Sequence, residues 1–168
     1  MNHDVNPQLI VLVGAPASGK STYIKNAGLN DYVIISTDAI IEEAADREGK
    51  TYSEIFQDTI KVATTLANIK FDNAIADKKN IVFDQTNMSA KKRKGILSRI
   101  PKFYTCKVVV FNIPLEVVER RAAERCAQTG KCIPAHVIAD MYKRFEMPTL
   151  QEGFDDIEIV TLDKQNVD

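Results

Sequence analysis

The stretch Gly14-Ala-Pro-Ala-Ser-Gly19-Lys20-Ser21 decides the fold of this chain, because it satisfies the pattern G-x-x-x-x-G-K-S/T. It follows a short apolar run, Gln8 to Val13, that stops at glycine and has the composition of a buried parallel strand. A helix is predicted to begin at Gly19 or Lys20 and to end near Ala27. Glycines let such a loop bend so that successive N–H groups point inward and hold phosphate oxygens. We therefore predict a strand–loop–helix unit that binds a nucleoside triphosphate.

The side chains that close this loop have separate predicted tasks. Lys20 would reach the β- and γ-phosphates, Ser21 would place its hydroxyl on Mg²⁺, and Thr22 would lie near the α-phosphate. The alternative is a glycine-rich turn that binds no nucleotide. The chain lacks the guanine-reading pattern N-K-x-D and is shorter than most motor ATPases, which favours a small kinase. The predicted nucleotide-binding residues of the loop are Gly14, Ala15, Pro16, Ala17, Ser18, Gly19, Lys20, Ser21 and Thr22.

Outward from the loop, apolar runs alternate with helical patterns. Further strands are predicted at Tyr32–Ser36, Asn80–Asp84, Thr105–Asn112 and Ile157–Leu162. Further helices are predicted from the capping box at Thr51 to about Ala76, from Ser89 to before Pro101, from Pro114 to Gly130, and from Pro134 to about Glu146. This alternation predicts one α/β domain over residues 1–168, with a mostly parallel sheet and its site at the carboxyl ends of the strands. The ends, Asn2–Pro7 and Gln165–Asp168, are expected to be frayed.

Composition narrows the class of protein. The 168 residues carry 22 Lys and Arg against 23 Asp and Glu, and 45% are hydrophobic, as in an ordinary globular protein. No apolar run is long enough for a membrane span and no leader is evident, so we expect no membrane partner and a cytoplasmic location. No obligate protein partner is evident. The three cysteines form no C-x-x-C pair, and we expect them to be reduced thiols.

The near-zero net charge hides a segregation of charge along the chain. Asp31–Asp58 has eight acids against two bases, and Glu146–Asp168 has seven acids against one lysine. Gln85–Leu115 has no acid and seven bases, of which four are Lys91 to Lys94. Lys91 is therefore a candidate contact to a nucleic acid, and the alternative is a solvated helix face.

Asp38 is the candidate general base. Transfer of a phosphoryl group to an alcohol needs a carboxylate that takes the proton of the attacking hydroxyl. Asp38 directly follows the second predicted strand, which puts it at the carboxyl edge of the sheet beside the glycine-rich loop. The alternative is that Asp38 is only the N-cap of a helix, with Ser36 and Thr37 as competing caps.

Polar residues also end the third predicted strand. Asp84 stands where a carboxylate usually acts on Mg²⁺, directly or through water. Thr86 and Asn87 follow at the same edge, and we predict that all three face the substrate. The alternative is a turn followed by the Ser89 helix cap.

Two arginines on the helix before Gly130 are candidates for a lid. Arg121 and Arg125 share one face at i, i+4 spacing and would offset transition-state charge when the lid closes over the triphosphate. The alternative is a solvated helix in which Glu116, Glu119 and Glu124 are their ion-pair partners.

These motifs together resemble the small P-loop kinases related to the kinase domain of phage polynucleotide 5′-hydroxyl kinase. The resemblance covers about residues 8 to 162. It rests on Gly14–Thr22, on Ser36-Thr-Asp38, on Asp84-Gln-Thr-Asn87, and on a segment that runs from Phe111-Asn-Ile-Pro114 through Arg121 and Arg125 to Gly130–Pro134 and Met141-Tyr-Lys143.

The resemblance implies a P-loop NTPase fold, with a five-stranded parallel sheet, helices on both faces and a helical lid. It implies an ATP- and Mg²⁺-dependent kinase in which Lys20 and Ser21 hold triphosphate and metal, Asp38 is the base and Arg125 stabilises the transferred group. The acceptor would be a nucleic-acid hydroxyl, at a 5′ end or on the hydroxymethyl group of a modified pyrimidine. One departure is Ile41, where the family has an arginine that contacts the nucleic acid. A small-molecule kinase and a non-catalytic nucleotide-binding module are the alternatives.

Overall fold

The computed structural model describes residues 5–166, so Met1–Asp4 and Val167–Asp168 of the predicted domain lie outside the described residues. Five parallel strands form one sheet in the order β2-β3-β1-β4-β5. The predicted five-stranded parallel sheet is therefore confirmed. The strands are β1 (Gln8–Val13), β2 (Val33–Ile35), β3 (Ile81–Asp84), β4 (Thr105–Asn112) and β5 (Asp156–Thr161).

The strand order places the glycine-rich loop at the centre of one sheet edge. β1 is the middle strand and pairs with β3 on one side and β4 on the other, with Leu12 opposite Asp84 and Val13 opposite Val110. Its carboxyl end therefore opens where the strand order reverses, which is where α/β sheets form their ligand crevice.

Helices cover both faces of this sheet, as predicted. They are α1 (Lys20–Asn26), α2 (Thr37–Glu48), α3 (Tyr52–Ala76), α4 (Ala90–Leu97), α5 (Leu115–Thr129), α6 (Ala135–Lys143) and α7 (Leu162–Gln165), with a 3-10 turn at Leu150–Glu152. α3 and α4 pack on one face, against alternate β1 residues such as Val11. α1, α5 and α6 pack on the other, against the intervening residues such as Leu12.

A third, smaller core joins α2 to α3 beside the sheet. It contains Ile41, Ala45, Tyr52, Ile55 and Ala63. Ile41, where the resemblance leads one to expect an arginine, is fully buried in this core. α2 and the start of α3 thus form one rigid wall next to the carboxyl edge of the sheet.

Several predicted boundaries needed correction, and Leu162, for example, begins α7 and does not end β5. Ser36 is not in β2, because its side chain accepts a hydrogen bond from the Ala39 N–H and caps α2. α6 ends at Lys143, before the predicted Glu146, whose N–H donates instead to the Met88 carbonyl. Gln165 is not frayed, because its side-chain amide donates to the Ser18 carbonyl of the glycine-rich loop at 2.6 Å.

No helix within residues 5–166 combines the length and the apolar character that crossing a membrane would require.

Candidate active site

The glycine-rich loop is held in shape by its own backbone and by β3. The Gly14 N–H donates to the Thr86 carbonyl at 3.0 Å. A Cβ on Gly14 would approach Ser18 Oγ to 2.6 Å and Phe111 Cβ to 2.9 Å, so only glycine fits. Gly19 adopts a φ of +100°, in the left-handed region that favours glycine. Glycine is therefore required at position 14 by the close approach of neighbouring side chains, and at position 19 by the backbone conformation.

Lys20 lies inside this loop. Its Nζ donates to the carbonyl oxygens of Gly14 and Ala15, at 2.9 and 3.0 Å. Burial lowers the Lys20 pKa to about 8, although the nearby Asp84 and Asp38 carboxylates favour the charged form. A lysine held this way presents a charge that little water screens, as binding of a triphosphate requires.

Asp84, at the end of β3, lines the same cleft as Lys20 and Ser21. Burial raises the Asp84 pKa, and the Lys20 ammonium partly offsets this effect. The Ser21 hydroxyl and the Asp84 carboxylate are hard oxygen donors of the kind that Mg²⁺ prefers. No group of three or more His, Cys, Asp or Glu side chains that could hold a metal occurs in residues 5–166. The pair of Ser21 and Asp84 fits Mg²⁺, which usually takes one or two protein ligands together with phosphate and water.

The residues after Asp84 have different surroundings. Thr86 lines the cleft, as predicted, whereas Asn87 does not. Asn87 is 1% exposed, and its side-chain amide donates to the Leu12 carbonyl at 2.8 Å. The prediction that Asn87 contacts substrate is therefore corrected, because this buried side chain ties the segment after β3 to β1.

Asp38 is at the centre of a side-chain cluster that lines the same cleft. It lies in the first turn of α2, and the helix cap is Ser36, so Asp38 is not the cap. Its Oδ1 accepts a hydrogen bond from the Tyr52 hydroxyl at 2.8 Å, and its Oδ2 accepts one from Lys131 Nζ at 3.1 Å. The Asp38 side chain remains 49% exposed. It is fixed in orientation and still open to a substrate.

Lys131 and Glu42 complete this cluster. The Lys131 side chain is 9% exposed, and its Nζ also donates to Glu42 Oε1 at 2.7 Å. It lies 4.5 Å from the centre of the Tyr52 ring. Burial, followed by the hydrogen bond to Asp38, raises the Tyr52 pKa, which keeps its hydroxyl a donor.

Both predicted lid arginines reach the cleft. Arg121 and Arg125 line it from α5, and neither forms a salt bridge within the part of the chain that the structure describes. The Nε and Nη2 atoms of Arg125 are buried and have no hydrogen-bond partner among residues 5–166. Buried donors of this kind are costly unless an acceptor is bound, which fits phosphate oxygens.

The loop after α5 is closed by a disulfide between Cys126 and Cys132. The expectation of three reduced thiols is wrong for this pair and holds for Cys106, which is free and buried. Six residues of separation gave no recognisable pairing signal in the sequence, but the turn at Gly130, which has a φ of +75°, brings the two cysteines together.

The basic segment is less exposed than its composition suggests. Arg93 is fully buried, and its guanidinium donates to Glu152 Oε1 at 2.9 Å and to the Asn87 carbonyl at 3.0 Å. Lys91 is exposed and does not line the cleft, whereas its neighbour Lys92 does, so contact of Lys91 with a nucleic acid stays a prediction.

The glycine-rich loop, Asp84, the Asp38 cluster and the two arginines line one cleft of about 1680 Å³. The ionisable side chains that line it are six basic and four acidic, although the whole chain has a net charge of −1. The sequence predicted Lys20, Asp38, Asp84 and Arg125 for this site, and all four line the cleft, but it did not single out Lys131, Glu42 or Tyr52, which line it too. The i, i+4 spacing of Asp38 and Glu42 was an available signal, whereas nothing local pointed to Lys131.

The comparisons with known proteins agree with this architecture. The family model AAA_33, an AAA domain, matches residues 9–148. The chain is 29% identical to L-seryl-tRNA(Sec) kinase of Methanococcus maripaludis, over 93% of this chain and 60% of that protein. It is 25% identical to the bifunctional polynucleotide phosphatase/kinase of Schizosaccharomyces pombe, over 91% of this chain and 33% of that protein. The chain thus spans between one third and two thirds of the length of these relatives.

A solved structure shows the same fold. A protein of Chloroflexus aurantiacus assigned as a kinase superposes with a TM-score of 0.69 at 21% identity, over 97% of this chain and 90% of that chain. The chain therefore belongs to the AAA domain family AAA_33 and has the fold of the P-loop kinases.

Proposed function

We propose that this protein is an ATP-dependent kinase that transfers the γ-phosphate to a hydroxyl on a nucleic acid. The observation that carries the proposal is the position of Asp38, a fixed and accessible carboxylate in the same cleft as Lys20 and Arg125. One cleft thus contains a base for an alcohol and cations for phosphate oxygens, the two parts that phosphoryl transfer requires.

Each side chain has a task in this reaction. Lys20 binds the β- and γ-phosphates, together with N–H groups of the loop Gly14–Thr22. Asp38 accepts the proton of the attacking hydroxyl while the bond from the γ-phosphorus to the bridging oxygen of ADP breaks. Arg121 and Arg125 offset the charge that develops on the transferred group, and the buried donors of Arg125 are suited to this task.

Mg²⁺ would be held by Ser21 and Asp84. When bound, it neutralises phosphate charge and orients the triphosphate. This chain supplies the two oxygen donors and the low-dielectric surroundings that raise the Asp84 pKa.

Three observations support a nucleic acid as acceptor. The cleft is larger than the ~300–1,000 Å³ typical of small-molecule sites, and its ionisable residues are mostly basic. Two relatives are named for kinase activity on a tRNA and on a polynucleotide. Both a 5′-hydroxyl and a hydroxymethylated base remain candidates, since the buried Ile41 removes the family's arginine contact.

A small-molecule kinase is the second candidate. Glu42 lies beside Asp38 on the acceptor side of the cleft, and a carboxylate there would repel a phosphate next to the accepting hydroxyl. The contact of Lys131 with both carboxylates reduces this repulsion. A neutral polyol or nucleoside would avoid it altogether.

Transfer from γ-labelled ATP tests the choice between these acceptors. The panel comprises 5′-hydroxyl DNA and RNA oligonucleotides, hydroxymethylated duplexes, and nucleosides and sugars, each with and without Mg²⁺. Label on a polynucleotide is the expected result. Label only on a nucleoside or sugar would overturn the nucleic-acid assignment and leave the kinase intact, whereas label on no acceptor would favour a non-catalytic nucleotide-binding module.

A further inference from the structure

One wall of the cleft beyond Asp38 is a single face of α3. Residues at intervals of four, Tyr52, Phe56, Ile60 and Thr64, all line the cleft. Such residues lie one above another along a helix, so they form a continuous strip. No carboxylate on α3 lines the cleft, since Glu54 and Asp58 are absent from its wall. The strip is therefore a neutral, partly aromatic surface that leads away from the Asp38 carboxylate.

Phe56 is the unusual member of this strip. Its ring is only partly buried, and it packs against the small core formed by α2 and α3. Its ring centroid lies 5.5 Å from that of Tyr52 at an interplanar angle of 41°, and the Tyr52 hydroxyl donates to Asp38. Phe56 thus packs against the small core and also lines the cleft. The Tyr52 ring lies between Phe56 and the Asp38 carboxylate.

A basic side chain also lines the same cleft. Lys92 is exposed on α4 and forms no salt bridge among residues 5–166. Gln85, which also lines the cleft, is held by a hydrogen bond from its amide to the Thr37 hydroxyl at 2.8 Å. An aromatic ring together with a free ammonium group is the combination that binds a nucleobase and a backbone phosphate in single-stranded nucleic acids.

We propose that Phe56 is a stacking platform for the base of the nucleotide that carries the accepting 5′-hydroxyl, and that Lys92 contacts a phosphate on the 3′ side of that nucleotide. This inference rests on the proposed function and specifies its acceptor as an unpaired strand end. Stacking of the nucleobase on Phe56 would position the hydroxyl beside Asp38, so an arginine at position 41 would not be needed for this purpose.

The central test compares Phe56→Leu with Phe56→Tyr and with Phe103→Leu. Phe103 is 40% exposed and lies outside the cleft, so Phe103→Leu makes the same chemical change elsewhere. Each variant is assayed on a single-stranded 5′-hydroxyl oligonucleotide and on the same strand with an abasic 5′-terminal residue. The wild-type comparison of these two acceptors needs no mutation and therefore stands even if Phe56→Leu does not fold.

With wild-type enzyme we expect the abasic end to raise KM for the oligonucleotide about tenfold, within the range that one base–aromatic stack supplies. Phe56→Leu should raise KM similarly on the intact strand and should not raise it further on the abasic one, because the two changes remove the same contact. Phe56→Tyr and Phe103→Leu should match wild type, and KM for ATP should not change.

Two results would count against the inference in different ways. Efficient phosphorylation of the oligonucleotide with equal KM for intact and abasic ends would overturn the stacking platform and leave the proposed function standing. Transfer to small alcohols alone would overturn the proposed function, and the platform with it.

Discussion

The two ends of the cleft are built in different ways. The nucleotide end is one contiguous stretch, Gly14–Thr22, whose backbone and Lys20 side chain converge over a few residues. The acceptor end joins Asp38 on α2, Tyr52 on α3 and Lys131 on the loop before α6, and the residues of the Lys131–Asp38 pair are 93 positions apart in sequence. The proposed triphosphate site is therefore built mainly from one local segment, whereas the proposed acceptor site depends on tertiary packing.

The energetic consequence differs as well. The glycine-rich loop keeps its shape through backbone conformation, steric fit and uncharged hydrogen bonds, such as those to the Thr86 carbonyl and from the Gln165 amide. The buried Lys131 ammonium is tolerated only because Asp38 and Glu42 both accept its hydrogen bonds. Loss of one member of this cluster leaves unpaired charge, so we expect the acceptor end to be the more sensitive to substitutions at a distance.

Arg125→Ala should have the largest effect of the substitutions that test this contrast. It removes the buried donors assigned to the transferred group, so kcat should fall about 10³-fold on every acceptor. Steady-state assays on two acceptors measure this. Arg120→Ala, an exposed arginine on the same helix and outside the cleft, is the matched control and should retain full activity. A loss confined to one acceptor would place Arg125 at the acceptor end.

Lys131→Met should act only at the acceptor end. Methionine fills a similar volume without charge, so Asp38 loses one of its two orienting contacts, and kcat should fall about 10²-fold. The Kd for ATP, measured by calorimetry, should stay within about twofold because Lys20 keeps its loop contacts. Lys131→Arg, which retains the charge, should recover part of the activity. Equal losses in ATP binding and turnover would contradict the separation of the two ends.

The pH dependence of ATP binding should report the nucleotide end alone. Burial lowers the Lys20 pKa to about 8, so Lys20 in the free enzyme is charged below that pH and loses its proton above it. ATP affinity should be nearly constant below about pH 7 and weaken by up to about tenfold per unit above about pH 8. Lys20→Arg, which stays charged, should show no such decline. A flat profile in wild type would show that Lys20 remains protonated throughout.

Lys92→Gln should have the smallest effect, and only on polynucleotides. Loss of one phosphate contact should weaken oligonucleotide binding a few-fold and reduce the slope of log K against log salt by about one. Lys94→Gln, on the same helix but outside the cleft, should leave the slope unchanged. Equal slopes for both variants would assign Lys92 to the solvated face of α4.

Local signals account for what could be predicted from the sequence. The apolar runs that became β1 and β4 have the predicted bounds, and Thr51 and Glu54 form the predicted capping box of α3. These features depend on neighbours within a few residues. The loop pattern placed Lys20 correctly for the same reason.

The missed features depend on partners far along the chain. Arg93 belongs to a basic run, yet Glu152, 59 positions away, pairs with it in the core. Asn87 looked like a site residue because it follows Asp84, but its partner is the Leu12 carbonyl across the sheet. A single sequence contains no local signal for such pairs, so composition alone overestimated the exposed charge of the segment Gln85–Leu115.

The central claim is that Asp38 acts as a base in a cleft that binds ATP independently of it. Single-turnover transfer by Asp38→Asn, alongside ATP binding by calorimetry, tests this most directly, because asparagine keeps the shape, its Oδ1 can still accept from Lys131, and its Nδ2 can donate to the Tyr52 hydroxyl oxygen. We expect the rate of transfer to fall about 10²- to 10⁴-fold while the Kd for ATP changes less than about threefold. Transfer at the wild-type rate would contradict the account.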